Sequence, residues 1–351
     1  THRSTLLHAL QVPLCQTSSF RAGARVLPVV PLFHVNAWGL PYVAPLTGMT
    51  LVMPGPNLDG ASLFRLMDAE GVYSAWGVPT VWAGLLAEIK TQGRVPAGFA
   101  DLVVGGSAMP RVMIEAYERR GVVVSQAWGM TETSPIGAYG VLSPALQAAP
   151  LAERITAKCC AGRRLFGVEY KIVDDAGQRL PHDGQAAGEL FIRGNTVISG
   201  YFENPEATRA AMDSEGWFGT GDVASVSPEG RLTIRDRSKD LVKSGGEWIS
   251  SIDLENAALS HPGIAACAVI AVPHPKWDER PVLVAVAAGA ERPTLAEVCT
   301  HMETHFAKWQ LPDDLLWVEA LPLTATGKVS KLTLRDQFAD YIHPDQRGDG
   351  A

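Results

Sequence analysis

Thr131 and Glu132 stand side by side in the run Trp128-Gly129-Met130-Thr131-Glu132-Thr133-Ser134-Pro135. A hydroxyl next to a carboxylate can serve a phosphate and a magnesium ion, since Mg²⁺ takes one or two carboxylates together with phosphate oxygens and water. The same pair is also a common helix cap, and alone it reads that way. Asp222 in Thr220-Gly221-Asp222, Lys328 in Thr326-Gly327-Lys328 and the pair Gly245-Gly246 are each, in isolation, ordinary turn residues. His34 and Trp38 lie four apart, where a core histidine and a packing tryptophan would serve equally well. His301 and His305 share that spacing and could hold a metal. Their run is His-Met-Glu-Thr-His, however, with the glutamate misplaced for a zinc protease, and it reads as a solvated helix face.

Elements that could position these residues are legible along the chain. Residues from Arg25 read as a buried strand running into the loop before His34. Asp59 to Glu70 has helical spacing, with Leu63, Leu66 and Met67 on one face. Leu102–Val104 is a strand ending in Gly105-Gly106-Ser107, and Pro110 opens a helix through Arg120. Val122–Val124 is the next strand, leading to Gln126-Ala127-Trp128-Gly129. Strand, loop, helix, strand at this spacing predicts a parallel α/β sheet with ligands at the carboxyl ends of its strands. The stretch from Gly162 to Arg235 has short β-rich runs at Glu169–Val173, Glu189–Arg193 and Leu232–Ile234, an antiparallel subdomain. Beyond Arg237, helices at Ser251–Ser260 and Thr294–Trp309 alternate with strands at Ile264–Val272, Pro281–Ala288 and Leu315–Val318, a separate small α+β unit.

Composition narrows the function classes. The 351 residues exceed what one core usually organises, so two or more domains are expected. A net charge of -7 argues against general nucleic-acid binding, which needs an excess of Lys and Arg. Apolar runs such as Cys267–Val272 are too short to span a bilayer. The five cysteines, Cys15, Cys159, Cys160, Cys267 and Cys299, show no CxxC spacing and read as reduced thiols of a cytoplasmic protein.

The octapeptide from Trp128 to Pro135 resembles the adenylate-forming (AMP-binding) superfamily of acyl-CoA synthetases, luciferases and peptide-synthetase adenylation domains. Further similarities follow in the family's order. Phe33-His34-Val35-Asn36-Ala37-Trp38 resembles the acyl-pocket motif of the medium- and long-chain fatty-acyl-CoA synthetase branch. Gly105-Gly106-Ser107-Ala108 is similar to the adenine and acyl-carboxylate loop, and Gly188-Glu189-Leu190 with Gly200-Tyr201-Phe202 to the next core motif. Thr220-Gly221-Asp222 resembles the ribose motif, Asp236 to Ser250 the hinge and the loop after it, and Thr326-Gly327-Lys328 the terminal lysine motif.

The resemblance implies an α/β fold: a partial adenylation domain over 1–238, made of a parallel α/β sheet and a small antiparallel β subdomain, then a mobile α+β domain over 239–342 and a flexible tail over 343–351. It implies ATP, Mg²⁺ and coenzyme A, with no nucleic acid and no transmembrane segment, and a homodimer as one state of the complete protein. Lys328 is implied to bridge acyl carboxylate and α-phosphate, with His34 and Lys243 beside the adenylate. Trp38 is implied as a gate on the acid tunnel, and Gly105 as a contact of the acyl carboxylate. Gly106, Ser107, Gln126, Ala127, Trp128 and Thr131 are implied to bind the nucleotide and Glu132 the magnesium. Asp222 and Arg237 are implied to hold the ribose, Lys239 to act as hinge, and Gly245, Gly246 and Trp248 to border the path of the pantetheine arm. Leu323 departs from the usual Lys of Pro-Lys-Thr. The family's phosphate loop sits just before a Thr-His-Arg-Ser stretch, and this chain opens on Thr1-His2-Arg3-Ser4. The chain is therefore expected to be cut after that loop. Competing expectations are a ligase for a small or sulfur-containing acid and a non-catalytic fragment.

Overall fold

The protein is described by a computed structural model covering residues 1–16 and 18–346. It divides into two compact units. The first comprises Thr1–Ile234 with Thr326–Lys328, and the second Arg235–Ala325 with the residues from Val329 onward. No helix among the described residues is long and apolar enough to cross a membrane.

The first unit is built on strands β1 (Arg25–Pro28), β2 (Thr50–Leu51), β3 (Ser74–Gly77), β4 (Asp101–Val104), β5 (Val123–Gly129), β6 (Ile136–Tyr139), β7 (Gly162–Arg164), β8 (Val168–Val173), β9 (Ala187–Gly194), β10 (Phe218–Val226) and β11 (Arg231–Arg237). They form one sheet in the order β2-β1-β3-β4-β5-β6-β7-β11-β10-β9-β8. The first five are parallel. Helix Gly60–Glu70 begins where the Asp59 carboxylate accepts the Ser62 amide at 2.9 Å, a cap worth about 1 kcal/mol. Its Leu63, Phe64 and Met67 pack on one face of the sheet with Trp82, Leu85 and Ile89 of helix Pro79–Gln92 and with Ile114 and Tyr117 of helix Arg111–Glu118. The other face is packed by Ala9 of helix His2–Gln11 and by Leu40 and Val43 of helix Leu40–Thr47. Strand alternation sets what each face carries: Ser74, Trp76, Asp101 and Val103 point one way, Ala75, Leu102 and Val104 the other.

The antiparallel subdomain continues the parallel strands in one mixed sheet, because β5 serves both. Its Val123–Gln126 pair with β4 in parallel, and its Ala127–Gly129 pair with β6 in antiparallel. For the same reason Gln126, Ala127 and Trp128 lie on a strand, not on a loop after Val124.

The second unit contains β12 (Val242–Ser244), β13 (Glu247–Ile249), β14 (Ile264–His274), β15 (Asp278–Ala287) and β16 (Asp314–Trp317), in the order β13-β12-β15-β14 with β16 beside β15. Both faces of β14 are covered, which explains its unbroken apolar run. Cys267 and Val269 meet Leu254 and Val298 of helices Ser251–Ala258 and Leu295–Met302, while Ala268, Ile270 and Val272 meet Leu334 of helix Lys331–Gln337. The helix expected over Thr294–Trp309 ends at Met302. His305 thus lies beyond the helix that carries His301, and His301 Nε2 instead sits 2.7 Å from Ser260 Oγ. Of the expected tail, Pro344–Gln346 forms a single 3-10 turn, and 347–351 lie outside the described residues.

Candidate active site

The segment after β1 presents His34 and Trp38 by an unusual route. Val35, Asn36, Ala37 and Trp38 have φ values of 47, 52, 49 and 55°, a left-handed turn. Each L-residue in that conformation costs about 1–2 kcal/mol, and such strain concentrates at functional sites. Gly39, with φ 81°, closes the turn by donating its N–H to Val35 O at 3.2 Å and Asn36 O at 3.0 Å. The turn leaves Ala37 and Trp38 buried and His34 half-buried.

Trp38 packs against Gly105, the residue after β4. A Cβ at Gly105 would come within 2.8 Å of the indole and 3.1 Å of Ala127 O, so glycine is required there. Gly106, with φ 84°, exposes the loop and meets Lys328. A Cβ there would lie 2.6 Å from Lys328 Cε and 3.3 Å from Nζ. Gly327 O accepts from Thr80 Oγ1 at 2.8 Å. Burial and then the nearby Lys328 charge hold the His34 pKa below its ordinary value, which keeps the imidazole neutral. Ser107 is exposed on the same loop.

On β5, the Gln126 amide is taken up by the protein: Oε1 accepts from Met109 N and Nε2 donates to Lys158 O, both at 2.8 Å. Lys158 is itself buried, with Nζ 2.9 Å from Glu118 Oε1 and 2.7 Å from Val124 O. Glu118 Oε1 also accepts the Val124 amide at 2.7 Å. The two buried charges are thus paired and hydrogen-bonded, as burial demands, and they brace β5 from behind. Trp128 covers Gly137, where a Cβ would fall 2.7 Å from its ring, and its Nε1 donates to Asp222 Oδ2 at 2.9 Å. Asp222 is buried, its amide bonded to Thr220 Oγ1 at 3.1 Å.

After β5, Thr131–Thr133 makes one 3-10 turn with Thr131 exposed. Glu132 Oε1 accepts from Tyr201 OH at 3.0 Å, and its backbone O accepts from Ile198 N at 2.9 Å. Ser134 Oγ donates to Thr196 O at 2.7 Å. The first unit therefore draws His34, Trp38, Gly105, Gly106, Ala127 and Lys328 into one chain of neighbours, and Trp128 with Asp222 into a direct pair.

The second unit holds the remaining candidates. Gly245 and Gly246, with φ 62 and 86°, form the two-residue turn of the β12–β13 hairpin, a geometry that demands positive φ at both positions. Lys243 and Trp248 are paired across it, with Lys243 Nζ 4.7 Å from the indole centroid. Arg237 is exposed at the end of β11 and Lys239 in the turn that follows.

Some participants gave no signal in the sequence. His8 sits in a polar-looking helix, yet it is buried and its Nε2 accepts the Ile136 amide at 3.0 Å. The ring also packs on Gly39, where a Cβ would lie 3.2 Å away. It thereby braces both the left-handed turn and the strand after the Thr131 loop. The Tyr201–Glu132 bond and the Trp128–Asp222 bond join residues 69 and 94 positions apart, which no local pattern reveals. A cleft of about 690 Å³ opens between Arg111, Thr156, Arg163 and Arg231, and none of the residues singled out in the sequence lines it.

The family model for AMP-binding enzymes matches residues 1–202, and the model for the AMP-binding enzyme C-terminal domain matches 253–328. The chain belongs to the AMP-binding enzyme family. It is 49% identical over 343 residues to a 3-methylmercaptopropionyl-CoA ligase of Ruegeria lacuscaerulensis, covering 97% of this chain and 63% of that protein. It is 47% identical over 344 residues to a medium-chain-fatty-acid–CoA ligase of Ectopseudomonas oleovorans, covering 97% and 62%. Its fold is similar to that of o-succinylbenzoate CoA synthetase from Bacillus subtilis in complex with its acyl-adenylate intermediate. There the TM-score is 0.80 at 28% identity, over 98% of this chain and 66% of the other. The chain thus spans less than two thirds of the length of these relatives.

Proposed function

We propose that the protein to which this chain belongs is an AMP-forming acyl-CoA synthetase, activating a carboxylic acid with ATP and passing the acyl group to coenzyme A. In the first half-reaction a carboxylate oxygen attacks the α-phosphorus of ATP, and the bond to pyrophosphate breaks. Negative charge then grows on the phosphoryl oxygens, and a fixed cation is needed to offset it. The observation that carries the reading is Lys328 lying against Gly106, with His34 near enough to feel its charge. A lysine over a glycine loop at the end of a parallel strand is where such a phosphate would be held.

In this reading Trp128 and Ala127 border the adenine, Asp222, oriented by Trp128 Nε1, accepts from the ribose hydroxyls, and Arg237 donates to the same sugar. The Gln126 side chain, bonded to Met109 and Lys158, supports that surface from within. Thr131 contacts phosphate. Glu132 suits a magnesium ion, because a carboxylate has acceptor capacity beyond its one bond to Tyr201. That ion, when bound, neutralises phosphate charge. Lys239 serves as the hinge before the second half-reaction, for which Lys243, Gly245, Gly246 and Trp248 border the thiol's approach. The motif order suggests a fatty acid, whereas the aromatic rings packed beyond Trp38 favour a small or sulfur-containing acid.

Half-reaction kinetics test this on the complete protein. Lys328→Ala should abolish acid-dependent pyrophosphate release yet still convert pre-made acyl-adenylate and CoA to thioester. Pyrophosphate release at the wild-type rate in this variant would overturn the assignment of Lys328.

A further inference from the structure

Trp76 is fully buried one residue before the end of β3, on the sheet face that Trp38 covers. Its ring centroid lies 6.3 Å from that of Trp38, 5.6 Å from that of Phe20 and 6.2 Å from that of Tyr139. These rings form a continuous aromatic cluster of tilted and edge-on contacts on the sheet face, with Trp38 against Gly105. The Trp76 indole is also tethered. Its Nε1 donates to Ser74 Oγ at 3.1 Å, and Ser74 Oγ donates to Asp101 Oδ2, which accepts from Ser19 Oγ at 2.8 Å as well. Tyr139 OH donates to Gln16 Oε1 at 3.1 Å. Trp38 and Trp76 thus differ in kind. Trp38 hangs from a turn of left-handed residues, whereas Trp76 is pinned at its backbone by β1 and β4 and at its nitrogen by a buried polar chain.

We infer that Trp76 is the fixed floor of the acid pocket and restricts the enzyme to short carboxylic acids. The inference rests on the reading of Trp38 and Gly105 as the acid's neighbours. An acyl tail that passes the Trp38 ring along this face meets the Trp76 indole next. Swinging that indole aside breaks its bond to Ser74 and strands buried polar groups, which is costly. A longer tail therefore has no path along this face while Trp76 keeps its place.

The test measures kcat/KM for straight-chain acids from three to twelve carbons, by AMP release in the complete protein, for the wild type, Trp76→Leu and Trp76→Ala. Circular dichroism and the KM for ATP report on folding and on the nucleotide site. Acids of three to five carbons should be preferred by the wild type, with kcat/KM falling about tenfold or more once the tail exceeds the pocket. Trp76→Leu, which removes less volume, should shift the optimum to longer acids at unchanged ATP KM, and Trp76→Ala further if it folds. A wild-type optimum at ten or more carbons would overturn the inference, as would a Trp76→Leu profile that scales down evenly for every acid. Those results would leave the acyl-CoA synthetase reading intact. No AMP release with any acid would overturn both.

Discussion

His8 offers a stability test that does not depend on any ligand. Burial alone drags its pKa from 6.5 to about 4, and the neutral ring accepts the Ile136 amide. Between those two values the unfolded chain binds a proton that the folded chain refuses. Stability from this group is therefore complete above about pH 6.5 and is lost as pH falls toward 4. The full gap is worth about 3 kcal/mol, of which about 2 kcal/mol is gone by pH 4.5. His8 is 1% exposed, so solvent screening does not discount the figure. Other buried groups titrate too: Asp101, Asp236 and Glu255 are raised by burial, which works in the opposite direction. The useful quantity is therefore a difference between proteins. His8→Gln keeps an acceptor for the Ile136 amide but does not titrate. Urea unfolding at pH 7 and pH 4.5 should show the wild type losing about 2 kcal/mol more than the variant. Curves that stay parallel within about 0.5 kcal/mol would refute the picture of a buried, neutral His8. His8→Leu, in contrast, leaves the amide unsatisfied and should cost about 1–3 kcal/mol at pH 7.

Two further outcomes are expected. At the exposed Asn36, where φ is 52°, glycine should match or slightly raise the thermal midpoint, while proline, fixed near about -65°, should lower it and displace Trp38. Equal midpoints for the two variants would argue against the left-handed turn. Gly137→Ala puts a methyl 2.7 Å from the Trp128 ring and should cost about 1–3 kcal/mol in overpacking. With the ring pushed off Asp222, KM for ATP should rise more than KM for the acid, and steady-state kinetics would show the reverse if Trp128 faced the acid instead.

The parallel half of the sheet was readable because its strands are short apolar runs followed by glycine loops, as at Leu102–Val104, and because Asp59 caps its helix by its side chain. The left-handed turn was not. Val35, Ala37 and Trp38 are not residues that favour positive φ, and only tertiary packing holds them there. The extension of β5 through Ala127-Trp128-Gly129 depends on pairing with β6, which sequence periodicity does not register. The helix after Thr294 kept its apolar spacing on paper past the point where the chain turns toward β16. In the site, the order of motifs marked Gly105, Trp128, Tyr201, Asp222 and Lys328, whereas the supporting His8 and Trp76 carry no motif of chemistry. These act through contacts between residues distant in the chain, such as His8 with Ile136.

The products of ATP cleavage decide whether an acid is adenylated. The complete protein, given ATP, magnesium and short and medium-chain carboxylic acids, should form AMP and pyrophosphate only when an acid is present, and acyl-CoA when CoA is added. ADP and inorganic phosphate as the products, or AMP release indifferent to the acid, would exclude acid adenylation.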